Sequence, residues 1–245
     1  MNFYRIYMGA AIICLAGLNL LKADNRAYVW TYEYKTMEAG ESEVEYYTTF
    51  HSPYMDSLTG TVTAEHNIEL EIGMTDHFDI GLYQVFEQQP DAALRYKGFK
   101  IRSRFRFGEA GRWPMDPLLY VEYKGRPDFS KHEWELKLIL AKNIGRFNVA
   151  VNPVLEWESE DDGWEQSFKY NLGVSYRLHY LVGLGLEARG SSAGHYLGPV
   201  ISHGKDNLWM ALGSGFAISS ISDNKPEFML RLIVGVGLSP PSKAD

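Results

Sequence analysis

Between His66 and Gln88 the chain reads HNIELEIGMTDHFDIGLYQVFEQ, two alternating runs closed by a tight turn at Thr75-Asp76-His77. Ile68, Leu70, Ile72 and Met74 point one way, while Asn67, Glu69, Glu71 and Gly73 point the other. In the second run Phe78, Ile80, Leu82 and Phe86 share a face opposite Asp79, Gly81, Tyr83 and Glu87. Successive side chains of a strand project to opposite faces, so period-2 alternation this strict marks strands with two chemically different environments.

The unit repeats to the end of the chain. Strand-like runs are expected at 41–50, 62–74, 78–87, 97–108, 117–124, 133–141, 147–158, 166–176, 180–189, 195–202, 208–216 and 228–238. No helical periodicity or long linker interrupts them, and tandem strands joined by turn residues imply an antiparallel meander. Charge falls on one face of each run. Phe99, Ile101, Phe105 and Phe107 alternate with Lys100, Arg102, Arg104 and Arg106, and Trp134, Leu136, Leu138 and Leu140 alternate with Glu133, Glu135 and Lys137. The connections also sort: 75–77, 142–146, 177–179 and 203–207 are short, whereas 51–61, 88–96, 125–132, 159–165 and 218–227 are longer and polar. Two connections, 109–116 and 190–194, break the rule. Long loops at one end and short turns at the other are the pattern of bacterial outer-membrane barrels.

Parity alone leaves open which face looks inward, since a secreted sandwich would hide the apolar face. Three features favour a membrane barrel. Twelve strands in one barrel enclose a space too wide for an apolar filling. Aromatic residues sit near strand ends, with Trp134 and Trp157 toward the long loops and Phe78, Phe147 and Tyr180 beside short turns, as interfacial girdles require. Each apolar face is about five residues long, and tilted strands of roughly ten residues span a bilayer. The fold expected is all-β: a single antiparallel up-and-down transmembrane β-barrel of about 12 strands.

Residues 1–23 read as a signal peptide, with Arg5 ahead of the apolar run YMGAAIICLAGLNLL and Leu21-Lys22-Ala23 near a cleavage site. Residues 24–40 form an N-terminal arm or short strand, 41–238 the barrel, and 239–245 a tail. The only cysteine, Cys14, lies in the signal segment, so disulfide and thiol chemistry are not expected of the exported chain. Losing Arg5 and Lys22 takes Lys and Arg from 24 to 22 against 31 Asp and Glu, a balance that argues against nucleic acid as a partner. The expected partners are the lipid bilayer of the outer membrane and small solutes.

The segments TYEYKTMEAGESEVEYYTTF, HNIELEIGMTDHFDIGLYQVFEQ and FKYNLGVSYRL resemble a broad family of bacterial outer-membrane barrels labelled transporter-like or phenol-degradation MetA-pathway proteins. The resemblance covers most of 28–238 and consists of strand texture. It implies a barrel and uptake of small hydrophobic or aromatic solutes, and it supplies no functional residues. The chain departs from the outer-membrane pattern in running past Leu238 into SPPSKAD.

Lys100, Arg102, Arg104 and Arg106 form a basic ladder, with alternate residues roughly 6.6 Å apart along one face. Across the expected lumen, Glu43, Glu45, Glu69, Glu71 and Glu87 make an acidic wall. One reading is a charged pore wall that selects solutes. The other, which is favoured, is an internal salt-bridge network, because charges that cannot reach lipid must pair or meet water. Glu158, Glu160, Asp161 and Asp162 lack the spacing of a calcium loop and read as a solvated acidic loop. The seven histidines are scattered, so no metal site or cofactor is expected. Gly183, Gly185, Gly213, Gly215 and Gly235 lie within runs and are expected to permit curvature and lumen space. Ser202 and His203 are adjacent, which sends their side chains to opposite faces, and no GxSxG is present. The expectation is therefore a channel or transporter for small solutes and not an enzyme. A non-conducting structural or surface-binding barrel is the alternative, with a lipid hydrolase ranked third.

Overall fold

A computed structural model describes residues 25–160, 163–205, 207–222 and 225–238. The expected signal segment 1–23, the tail 239–245, and Asp161 and Asp162 of the acidic loop lie outside the described residues.

The chain forms twelve strands: β1 (Ser42–Ser52), β2 (Thr63–Thr75), β3 (Phe78–Gln88), β4 (Arg95–Arg106), β5 (Asp116–Gly125), β6 (His132–Ile144), β7 (Phe147–Glu160), β8 (Gly163–His179), β9 (Val182–Ser191), β10 (Gly194–Lys205), β11 (Leu208–Ala217) and β12 (Phe228–Gly237). Each pairs antiparallel with its neighbours in sequence, and β1 pairs with β12, closing the sheet into a barrel. Closure removes both sheet edges, so no row of backbone donors and acceptors is left unpaired. Register holds each side chain on its expected face: Val44 lies opposite Leu70 and Val236, while Glu45 lies opposite Glu69 and Gly235.

The orientation that parity left open is visible on β4. Ile101 and Phe105 are 48% and 43% exposed, whereas Arg102 and Arg104 between them are 1% and 4% exposed. The same inversion runs around the barrel. Leu82, Leu138, Leu172, Leu186, Ile201 and Leu212 are exposed, while Glu43, Glu69, Asp79, Glu122, Lys137 and Glu187 are buried. Burying charge while exposing aliphatic carbon is the reverse of what water as the surrounding solvent selects.

Aromatic rings mark both ends of the outer face. Toward the long loops Trp134, Trp157 and Trp164 gather around one apolar hollow. Nearby, the Tyr123 and Tyr170 hydroxyls meet His132 and His195 at 2.6 and 2.9 Å. At the short-turn end Phe147 packs on Tyr176, with ring centroids 4.8 Å apart.

One expected loop is corrected. Residues 159–165 do not form an open polar loop: β7 and β8 run on as a hairpin, and Ser159 pairs with Trp164 and Glu160 with Gly163. The exceptions to the loop rule persist, since 107–115 separates β4 from β5 and only 192–193 separates β9 from β10.

The arm, residues 25–41, contains no strand and lies inside the barrel. Tyr28, Val29 and Trp30 are buried in a cluster with Tyr47, Tyr83, Tyr196, Val200, Trp209, Met229 and Ile233, contributed by strands from around the lumen. The arm enters and leaves at the short-turn end. Asn25 lies against Gly204, and Gly40 and Glu41 hydrogen-bond with Gly73 across 2.9 Å. Strand glycines admit it: a Cβ on Gly213 would sit 2.5 Å from Val29 Cγ2, and one on Gly173 2.6 Å from the Tyr28 ring.

Candidate functional site

Polar and charged side chains from β1 to β9 and from the arm converge in the lumen. Its arm is held mainly through backbone groups. Glu187 on β9 accepts from the N–H groups of Val29 (2.9 Å), Trp30 (2.9 Å) and Thr31 (2.7 Å). Asn152 on β7 clamps Tyr32 from both sides, accepting from its N–H at 2.6 Å and donating to its carbonyl at 3.1 Å. Asp79 on β3 accepts from the Met37 N–H at 2.9 Å, and the Tyr28 hydroxyl donates to the Asn148 carbonyl at 2.9 Å. A non-helical segment inside a barrel needs such partners, because each unpaired buried N–H costs about 1–3 kcal/mol.

On β1 to β4, against the arm, lies the network that contains Arg102 and Arg104 of the ladder and most of the acidic wall. Arg102 meets Glu69 at 2.7 Å and Glu71 at 2.8 Å, with Asp79 at 3.6 Å. Arg104 meets Asp79 at 2.7 Å and also pairs with Glu71. These acids do not face the ladder across the lumen as expected. β3 lies beside β4 in the sheet and β2 next beyond it, so the Arg102 side chain reaches sideways over Gly81 of β3 to Glu69 of β2; a Cβ on Gly81 would lie 2.3 Å from Glu69 Oε1 and 2.7 Å from Arg102 Nε. Glu45 accepts from the Tyr47 hydroxyl and lies 3.6 Å from Arg26 of the arm, and Glu43 accepts from the Trp209 indole N–H at 2.6 Å.

The ends of the two expected series behave differently. Arg106 donates to the Asp76 carbonyl at the short-turn rim, with its guanidinium 5.6 Å from the Tyr34 ring. Lys100 lies in the upper cavity, 5.7 Å from the Tyr83 ring. Glu87 is at the long-loop rim and pairs with Lys97 at 2.5 Å.

The arm divides the lumen into two cavities. The upper one, about 720 Å³, opens toward the long loops and has Trp30 and Tyr32 in its floor. The lower one, about 800 Å³, is lined by Arg26, Glu33 and Lys35 of the arm and by the short turns around Arg146 and Leu181. Among the described residues, ten Lys and Arg side chains line the upper cavity against six Glu. That excess stands out in a chain of net charge −7. On the β5–β8 wall the charges are matched. Lys124 pairs with Glu133 and lies 3.6 Å from Glu122 and Glu135, Lys137 meets Glu135 at 3.0 Å, and Lys169 pairs with Glu156. Glu45, Glu69 and Glu71, and likewise Glu133, Glu135 and Glu156, bring carboxylate oxygens within 4.8 Å of one another. Arginine and lysine head groups already neutralise both groups.

Reading the sequence missed Glu187, Asn152 and Asp79 as holders of the arm, and Arg189 and Arg231 as cavity residues. All five sit on the charged or polar parity of their strands, which was the only signal they carried.

No family model matches this chain, and no curated protein matches it. Solved structures do. A KdgM porin in complex with disordered oligogalacturonate superposes with a TM-score of 0.56 at 11% identity, covering 81% of this chain and 99% of that one. The NanC porin gives 0.53 at 7% identity, covering 80% and 100%, and a second KdgM porin structure gives 0.51 at 11%, covering 81% and 99%. The likeness is one of fold. The chain is a porin-like, closed, twelve-strand antiparallel β-barrel.

Proposed function

We propose that the protein is an outer-membrane channel or transporter for small solutes, with residues 25–41 serving as an internal plug. The observation that carries this reading is the inverted burial: a predominantly apolar exterior around a lumen lined by charge. In a bilayer that arrangement satisfies every backbone polar group and keeps charge off lipid. One cavity lies on each side of the arm, the upper toward the long loops and the lower toward the short turns. The fold shared with the KdgM and NanC porins supports conduction, and the strand-texture resemblance to transporter-like and MetA-pathway barrels supports small organic solutes. The cationic excess of the upper cavity favours anions among them.

Planar-bilayer recording tests the reading. The intact protein is expected to conduct weakly, and a variant lacking 25–40 to give clear unitary steps. If the arm-less barrel, verified as folded by heat-modifiable gel mobility, stays electrically silent, the channel reading fails. The structural-barrel alternative then replaces it, on the strength of the buried Arg102–Arg104 network that ties β2, β3 and β4 together.

A further inference from the structure

Two arginines in the upper cavity stand apart from the matched charges around them. The Arg189 guanidinium on β9 lies 5.4 Å from the centre of the Trp30 indole, and that of Arg231 on β12 lies 5.5 Å from the same ring. The two cationic carbons are therefore no more than about 11 Å apart, and both residues line the same cavity. Among the described residues neither makes an ion pair, although Glu187 and Glu135 are near Arg189 and Glu65 is near Arg231. Glu187 is committed to the arm's backbone, Glu135 to Lys137 and Glu65 to Asn67. Arg231 spends one donor on Thr49 Oγ1 (2.8 Å) and another on the Val29 carbonyl (3.2 Å). No hydrogen bond from Arg189 is recorded among the described residues, which leaves its planar fork of N–H donors for the cavity that it lines.

We propose that Arg189 and Arg231 form a binding site for the carboxylate of a small organic anion, and that its occupation loosens the plug. Like charges held against one indole are relieved by an anion beside them, and guanidinium forks match carboxylate geometry. The same two groups help seat the arm, through Trp30 and the Val29 carbonyl. A carboxylate that draws them away competes with the arm, and the two equilibria are linked reciprocally. The tyrosines of the cavity wall, among them Tyr83, Tyr120 and Tyr196, offer surfaces for a ring beside the carboxylate, aromatic or saccharide.

The proposal deepens the channel reading and rests on it for its biological sense, but its test needs no conduction. Calorimetric titration of the intact, detergent-solubilised protein uses four probes: benzoate, galacturonate, and their uncharged counterparts phenol and galactose. At least one carboxylate is expected to bind and its uncharged counterpart not to, and the pair that responds identifies the ring. Arg189→Gln is expected to weaken binding about tenfold or more, as loss of a charged hydrogen-bonding partner does. Arg189→Lys should retain part of it, and Arg177→Gln, the same charge change in the lower cavity, should leave it unaltered. In a Cys14→Ser, Thr31→Cys protein, maleimide labelling of the buried arm should accelerate with saturating carboxylate. Absence of binding by both carboxylates, equal binding of charged and uncharged probes, or indifference to Arg189→Gln overturns the site. Unchanged or slowed labelling overturns its link to the plug. Binding without conductance in the arm-less barrel leaves the site standing and sinks the channel, and conductance without binding does the opposite.

Discussion

Removing the carboxylate that holds the plug is the sharpest perturbation of this architecture. Glu187→Ala deletes three hydrogen bonds at once, to the N–H groups of Val29, Trp30 and Thr31. A bond to a charged acceptor contributes about 1.5–3 kcal/mol, and a buried donor left unpaired costs about 1–3 kcal/mol. The three donors are consecutive and share one acceptor, so their losses do not simply add. About 4 kcal/mol in arm seating is a reasonable total, equivalent to a shift of roughly 10³ in the seated-to-released ratio. The barrel itself should survive, because every strand keeps both neighbours. Cys14 is the only native cysteine, so Thr31→Cys in a Cys14→Ser background provides a single reporter thiol. Thr31 is 1% exposed and its hydroxyl has no hydrogen-bond partner among the described residues, so the substitution removes little. Maleimide labelling of Cys at this position should rise by orders of magnitude with Glu187→Ala. Glu187→Gln should be intermediate, since one oxygen still serves Trp30 and Thr31 while an amide N–H₂ now faces Val29. Labelling as slow in Glu187→Ala as in its parent would refute the claim that this carboxylate holds the arm.

Three further outcomes are expected. Arg104→Gln leaves Arg102 as the one guanidinium against Asp79, Glu71 and Glu69 in a buried site, and breaking a buried pair from one side costs up to about 3–5 kcal/mol. The heat-modifiable gel transition should fall, and adding Glu71→Gln should restore part of it. Ile101→Arg places a cation on the outer face midway along β4, opposite Leu82, and should cost roughly 2–4 kcal/mol in refolding into vesicles. Phe105→Arg, opposite Phe78 beside the short turn, should cost only about 0–1 kcal/mol. Equal costs at the two positions would mean that β4 does not cross a bilayer. An epitope inserted after Asp128, in the connection between β5 and β6, should be reached by antibody on intact cells. One inserted after Gly145, between β6 and β7, should not, and the reverse pattern would invert the topology.

Strand number and the two faces of each strand were legible in the sequence, because both depend on local periodicity. All twelve expected runs overlap the twelve strands. Arg102 and Ile101 belong to opposite environments because adjacent residues of a strand cannot share one. The alternation was silent on which environment was which, and only closure into a barrel put the arginine inside and the isoleucine outside. It was equally silent on partners. Arg104 finds Asp79 and Glu71 because register places β3 beside β4 and β2 next beyond it, and register is a property of the sheet rather than of any one run. The extension of β7 and β8 through 159–165 had the same origin, since hairpin pairing can order a polar segment whose composition resembles a loop. The plug was the least legible element of all. Residues 25–41 have no period, and their anchors Asp79, Asn152 and Glu187 contact backbone N–H groups that every residue except proline carries. Sequence determined a barrel wall with a charged side and an apolar side, because that information is written two residues at a time. Tertiary structure alone decided that the arm fills the lumen, because its seat is assembled from three strands that become neighbours of the arm only once the barrel has closed.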